Sequence, residues 1–310
     1  MIKNFTELRQ ELLNKKAEPK KVAVIKAANK HALESIFELA KEGLVIPYLI
    51  DDEAAIKKEL LSLDVEDAEY VILNAGTDAD AAFIGVQMAK ENKVQFIMKG
   101  DLQTGTLLKE VVNRETGIRQ QKVLSHLALI EVPNYPRLIG ITDGGMVLTP
   151  SAEQKKAIIQ NASKVMHALG FSKPKFAILS AAEVVQPKLP ASVDASELTK
   201  EYANESEMIV EGPISLDIAL NPIAAEEKHY QGKIKGDADV LVVPDIVGGN
   251  ILSKSMTLLA KGEMAGIIVG ASVPIILTSR SSSAAEKRNS LLLALKVSEN
   301  QTSQEKGAVE

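Results

Sequence analysis

Short runs of branched aliphatic residues alternate with amphipathic helical patterns along this chain, and that alternation limits the fold more than any single motif. Lys21–Ala27 reads as a strand. His31–Lys41 then places Leu33, Ile36, Phe37 and Ala40 on one helical face, with Gly43 as the stop. Leu44–Ile50 is a second strand. Pro47 within it predicts an edge position or a bulge, because proline brings no N–H to a ladder. A helix over Glu53–Leu60, a strand over Tyr70–Asn74, a helix over Asp80–Glu91 and a strand over Val94–Met98 continue the pattern. A helix running to Asn113 and two apolar strands, Val123–Val132 and Arg137–Thr142, follow. Ahead of them all, Phe5, Leu8, Leu12 and Leu13 have helical spacing. Such repetition predicts an α/β fold with mostly parallel sheets and right-handed crossovers.

At Thr149-Pro150-Ser151 the pattern changes. Ser151 and Gln154 have the spacing of a capping box. The helix they open, running to Gly170, is the longest expected, with Ile158, Ile159, Ala162, Val165, Met166 and Leu169 as its apolar stripe. It is a natural domain entry, since 310 residues lies near the length at which one core splits into two. A strand (Lys175–Ser180), a loop (Gln186–Val193), a helix near Ser196–Asn204, a strand (Met208–Glu211) and a helix (Ile214–Asn221) come next. The most informative stretch is Ala238–Arg280. Val240–Val243 reads as a buried strand closed by Pro244-Asp245, Gly248-Gly249-Asn250 as a turn, and Ile251–Lys261 as a helix. Two further apolar runs, Gly266–Gly270 and Val273–Leu277, lead to Thr278-Ser279-Arg280. A last helix covers Ala284–Val297, before the polar tail Ser298–Glu310.

Ligands of open α/β sheets sit beyond the carboxyl ends of strands, and a glycine turn that opens a helix points free N–H groups at anions. Arg280 suits a phosphate held through two parallel hydrogen bonds; the plainer reading is a surface arginine after a strand. Gly248-Gly249-Asn250 either receives an anion or is only a tight turn, being neither a dinucleotide fingerprint nor a Walker A loop. Lys254, one turn into the following helix, reaches either a phosphate or solvent. Asp143, in Thr142-Asp143-Gly144-Gly145, either orders its loop through an Asx-turn or faces the ligand. Glu286 fits either a general base or the far member of a Ser283-Ala284-Ala285-Glu286 capping box.

Composition narrows the chemistry. Cysteine is absent, which excludes disulfides, thiolate metal sites and acyl-cysteine intermediates. The net charge of −5, from 36 basic and 41 acidic residues, excludes a generally basic nucleic-acid surface, so an anionic ligand needs local positive partners. His31, His126, His167 and His229 are scattered without metal-ligand spacing. There is no G-x-S-x-G elbow for a hydrolase serine. The N-terminus lacks a signal-peptide core, and no apolar run approaches the ~18 residues that span a bilayer. The expectation is a cytoplasmic protein with no metal and no nucleic-acid or membrane partner.

VVPDIVGGNILSKS, followed by AGIIVGASVPIILTSR, resembles the phosphate acetyl/butyryltransferase family, most closely its phosphate butyryltransferase branch. TDGGMVLTPSAEQKKAII, FAILSAAEVVQPKLPASVDA and EGPISLDIAL agree, so the resemblance runs from about Arg137 to Leu295. It implies two three-layer α/β/α domains with mostly parallel sheets and a cleft between them, in the manner of isocitrate and isopropylmalate dehydrogenases. The expected division is 1–146 with 286–310, and 147–285. The resemblance also implies a homodimer or larger homo-oligomer. The implied activity is that of a phosphate acyltransferase. It interconverts a short-chain acyl-CoA plus inorganic phosphate with an acyl phosphate plus coenzyme A, the acyl group being butyryl or a branched short chain. Coenzyme A is then a substrate, and no bound cofactor is expected. Ser279, Arg280 and Glu286 match the catalytic positions, although the family's Asp is lengthened here to Glu286, and Ser281-Ser282 replaces a small residue and Asp. Asp245, Gly248, Gly249, Asn250, Lys254 and Asp143 are the substrate-binding candidates. The alternatives are a phosphate acetyltransferase, a non-catalytic homologue that binds CoA or acyl phosphate, and a nucleotide-dependent oxidoreductase. The missing dinucleotide fingerprint argues against the last.

Overall fold

A computed structural model describes residues 1–63, 65, 68–278 and 282–307, with 300–307 by backbone alone. In chain order its elements are α1 (Phe5–Lys15), β1 (Lys20–Ile25), α2 (Lys30–Lys41), β2 (Val45–Asp51), α3 (Glu53–Leu60), β3 (Val71–Asn74), α4 (Asp78–Lys90), β4 (Phe96–Lys99) and α5 (Thr104–Val111). Then come β5 (Ser125–Glu131), β6 (Ile139–Thr142), α6 (Ala152–Ala168), β7 (Lys175–Leu179), α7 (Pro190–Glu201), β8 (Ile209–Ile214), α8 (Leu216–Leu220), α9 (Pro222–Glu227), β9 (Val240–Val242) and α10 (Ile246–Leu258). The chain closes with β10 (Glu263–Val269), β11 (Ile275–Ile276) and α11 (Ala284–Gly307). This is an α/β fold with mostly parallel pairing.

Two compact units are present. A terminal unit joins Phe5–Lys122 to Met264–Glu310, and a middle unit joins Met1–Asn4 to Val123–Glu263. These breaks differ from the expected ones at 146/147 and 285/286, and strand pairing gives the reason. The antiparallel hairpin of β5 and β6 attaches to β9 through Gly140↔Val240, which draws residues from 123 onward into the middle unit. The hairpin of β10 and β11 attaches to β4 through Ile275↔Ile97, which draws residues from 264 onward into the terminal one.

In the terminal unit the strand order is β3-β2-β1-β4-β11-β10, parallel from β3 to β11, with β10 antiparallel. The α2 face predicted from spacing is buried, with Leu33, Ile36, Phe37 and Ala40 inside, each worth roughly 1.5–3 kcal/mol for the larger side chains. Asn29 starts this helix by accepting the Ala32 N–H at 3.1 Å. Phe5, Leu8 and Leu12 of α1 are buried, while Leu13 stays exposed. Helices α1 and α11 are joined where Lys15 pairs with Glu299 at 2.8 Å and Lys296 pairs with Glu11.

Pro47 lies in an interior strand, not at an edge or a bulge. Lys20 and Lys26 donate their N–H groups to the carbonyls of Leu44 and Ile50, so even-numbered residues of β2 bond toward β1. The missing N–H of Pro47 therefore faces β3, and that ladder begins only at Tyr48↔Val71. Proline occupies the last position before a donor becomes necessary.

In the middle unit the order is β5-β6-β9-β7-β8, with β6, β9, β7 and β8 parallel. The α6 capping box is complete, and its predicted apolar stripe is buried. Helix α7 begins at Pro190, several residues before the expected start, because proline suits the first helical turn. Helix α9 has no counterpart in the sequence reading. Helix α11, at 24 residues, is longer than α6 at 17, reversing the expected ranking.

Candidate functional site

The carboxyl end of β6 carries Asp143, which is 2 % exposed. Its carboxylate accepts four backbone N–H groups: His126 at 3.0 Å, Gly145 and Met146 each at 2.8 Å, and Val147 at 3.3 Å. The Thr142–Asp143 peptide bond is cis. Of the two readings open for Asp143, loop ordering is the one its hydrogen bonds express.

The loop so formed meets helix α10. A Cβ at Gly249 would fall 2.7 Å from the Gly144 Cα and 3.1 Å from the Asp143 carbonyl oxygen. A Cβ at Gly144 would fall 2.9 Å from the Gly249 carbonyl carbon. Only glycine on both sides allows main chain to approach main chain this closely.

The expected Gly-Gly-Asn turn before a helix is corrected here. Helix α10 starts at Ile246, so Gly248, Gly249 and Asn250 lie inside it. Asp245 is its N-cap, accepting the Gly248 N–H at 2.8 Å through Oδ1. The Gly249 N–H donates to the Asp245 carbonyl at 3.1 Å, and the Ile246 N–H to that of Leu148 at 3.0 Å. The N–H groups of Gly248 and Gly249 are therefore already committed within the helix terminus. Asn250 and Lys254 are exposed on α10, four residues apart and so on one face.

The sequence reading gave no role to His126, which the structure places in this cluster. Its backbone N–H is held by Asp143, its carbonyl accepts the Thr142 hydroxyl at 2.8 Å, and its Nδ1 is buried without a hydrogen-bond partner. Gly145 leaves room for the ring, since a Cβ there would come within 3.0 Å of it. Burial pushes the imidazole pKa below its ordinary value, and the charge of Asp143 opposes that shift. A lone histidine in a strand carries no sequence signal for such enclosure.

The EGPISLDIAL segment builds a separate polar cluster in the same unit. The Ser215 hydroxyl donates to Glu183 at 2.5 Å, and Lys228 bridges Glu183 at 3.0 Å and Asp217 at 2.9 Å. Hydrogen bonding from Ser215, then Lys228, pulls Asp217 down to about 2.

In the terminal unit, Glu286 lies in the first turn of α11 and is half-buried. Its N–H donates to the Ser283 hydroxyl at 3.1 Å, which is one half of a capping box. Its carboxylate instead accepts the Ser282 hydroxyl at 2.6 Å, so Ser282 orients it. Ser279 and Arg280 lie outside the described residues. Among the described residues, no cluster of three or more His, Asp or Glu is arranged to hold a metal ion, and no helix is long and apolar enough to cross a membrane.

Comparison with known proteins places this architecture. The family model described as phosphate acetyl/butaryl transferase matches residues 74–295. Phosphate butyryltransferase of Clostridium acetobutylicum is 36 % identical over 302 residues, covering 97 % of this chain and all of that protein. A probable phosphate butyryltransferase of Bacillus subtilis is 39 % identical over 285 residues, covering 91 % and 95 %. The crystal structure of a branched-chain phosphotransacylase from Enterococcus faecalis V583 superposes with a TM-score of 0.82 at 35 % identity, covering 90 % of this chain and 99 % of that one. The match reaches well into the first half of the chain, where the sequence motifs alone carried no resemblance. This chain therefore belongs to the phosphate acetyl/butaryl transferase family and is a phosphate acyltransferase.

Proposed function

We propose that this enzyme interconverts a short-chain acyl-CoA plus inorganic phosphate with an acyl phosphate plus CoA, and that its preferred acyl group is butyryl or a branched short chain. The observation that carries this reading is the near-complete overlap with butyryl- and branched-chain-named relatives at 35–39 % identity. In the direction that consumes acyl phosphate, Glu286 takes the proton of the CoA thiol, whose free pKa of ~8.5 leaves little thiolate at neutral pH. The thiolate attacks the acyl carbonyl carbon, the bond from that carbon to the phosphate oxygen breaks, and phosphate leaves with the bonding pair. Arg280 holds the phosphoryl oxygens through its planar fork, and Ser279 donates a hydrogen bond to phosphate or to the carbonyl oxygen. The hydrogen bond from Ser282 supports this assignment of Glu286, since it fixes the carboxylate independently of the helix cap.

The middle-unit residues take revised roles. Asp143, Asp245, Gly248 and Gly249 shape the loop and helix start, and the exposed Asn250 and Lys254 are the groups of that helix that meet an anionic substrate. With no cysteine in the chain, direct transfer between two bound substrates is the natural course. The test is release of free CoA from butyryl-CoA and phosphate, followed with a thiol reagent, across acyl-CoAs from acetyl to branched five-carbon chains. A kcat/KM maximum at butyryl or a branched chain is expected. A maximum at acetyl would make it a phosphate acetyltransferase, and no release with any of them would remove the reading.

A further inference from the structure

Helix α10 carries apolar side chains on the side that its own unit does not cover. Gly249 is its one fully buried residue and packs on Gly144. Val247, Ile251 and Leu258 lie about half a turn around the helix from Gly249, and their spacing stacks them in a single stripe. They are 62 %, 60 % and 75 % exposed. Two more leucines extend the stripe at its ends. Leu259, the C-cap, is 83 % exposed. Leu148 is 69 % exposed, and its carbonyl accepts the Ile246 N–H at 3.0 Å, which fixes it beside the helix start. A helix that is apolar all round is normally buried all round.

Scattered exposed aliphatic residues are ordinary on a protein surface, but a contiguous group of them marks a contact. Together these five side chains present on the order of 600 Å² of apolar surface, the upper end of what a typical monomer shows. Matched against a copy of itself, that patch buries roughly 1,200 Å² in total, where stable interfaces begin. Charge decides between occupants. From Ile246 to Ala260 the only charged residue is Lys254. A nucleic acid or an acidic protein calls for a positive cluster, and a basic protein for a negative one. A second copy calls for neither. In a twofold contact the same patch meets itself, so every charge faces its like, and a nearly uncharged patch is the kind that tolerates this. Lys254 borders the stripe, where its stem lies along apolar surface while its ammonium stays in water. Asn250 falls further round the helix.

We propose that the outer face of α10, centred on Val247, Ile251 and Leu258, is the contact between two copies of this chain in solution. The two α10 helices pack side by side about a twofold axis, which runs them antiparallel and sets each apolar stripe against the other. This contact uses none of the residues assigned to acyl transfer at Ser279, Arg280 and Glu286, so it stands or falls apart from that reading.

Sedimentation velocity of the full chain at micromolar concentrations tests this. The wild type should sediment at twice the mass of the chain or an even multiple of it. Ile251→Asp places a carboxylate in the middle of the stripe, opposite that of its copy, and should weaken self-association about a hundredfold or more. The double variant Val247→Ala, Leu258→Ala removes apolar surface without adding charge. It should weaken association about tenfold or more, and it covers the case in which Ile251→Asp does not fold. Leu61→Asp, at a leucine 88 % exposed in the terminal unit, should leave the mass unchanged. A wild type that stays monomeric overturns the proposal, whether its α10 face is then open, covered by its own chain or reserved for a different protein. So does an assembly that neither α10 variant weakens, or one that Leu61→Asp dissociates as readily, since either would put the contact elsewhere.

Discussion

Gly249 rests against Gly144 with no side chain between them, so close that a Cβ on Gly249 would stand 2.7 Å from the Gly144 Cα. A Cβ on Gly248, one residue earlier on the same helix, would meet nothing nearer than the Asp245 Oδ1 at 3.7 Å. Gly249→Ala should therefore destabilise the protein by about 1–3 kcal/mol through overpacking. Gly248→Ala should stabilise it by up to ~1 kcal/mol through helix propensity. Urea unfolding of the two variants side by side checks the pair, and equal shifts would contradict the contact.

Asp143 should behave as a structural clamp. Asn at this position offers one acceptor oxygen where the carboxylate offers two, and four N–H groups depend on it. Asp143→Asn is expected to cost ~2 kcal/mol or more of stability, read as a lower urea midpoint. Full stability with lost activity would instead place the carboxylate in direct contact with substrate.

Acid should act on His126. Its folded pKa is depressed, chiefly by burial, so the unfolded chain takes up the proton first. This contribution to stability is complete above the unfolded value of ~6.5 and falls away as pH drops below it, toward the lower folded value. The urea midpoint of the wild type should decline between about pH 6.5 and 5, and His126→Gln should decline less steeply there. Parallel pH profiles would show that the imidazole does not titrate differently on folding.

Arg280→Ala should lower kcat/KM by about 10²–10³, the scale of one preorganised donor to developing charge, with the melting temperature unchanged. Turnover at the wild-type rate would take Arg280 out of the reaction.

Glu286 and Ser283 can be separated. Glu286→Gln keeps the N–H that reaches the Ser283 hydroxyl and removes only the base; its kcat should fall by about 10²–10⁴ at unchanged stability. Ser283→Ala removes the cap and should cost ~1 kcal/mol of stability with kcat retained. If both variants lose only stability, Glu286 serves the helix alone.

The strand–helix alternation was legible because period and composition report burial directly, and α2 and α6 carry the faces their spacing predicts. The start of α10 was misread for a local reason. Two glycines in a row look like a turn, and only the packing of Gly249 on Gly144 explains why they sit inside a helix. Pro47 misled because its tolerance depends on where a neighbouring strand begins pairing, which is a long-range fact. Lys99 follows a predicted strand, but its burial arises only from the fold.

The insertion of β11 beside β4 has a temporal consequence. A nascent chain leaving the ribosome carries β1 to β4 long before Ile275 and Ile276 exist, so β4 waits with an uncovered flank while residues 123–263 are being synthesised. The middle unit, contiguous apart from its first few residues, has all its strands in hand by residue 263. Translation thus sets an assembly order in which the inner segment of the polypeptide matures first, and the part built from Phe5–Lys122 and Met264–Glu310 is completed only at the finish.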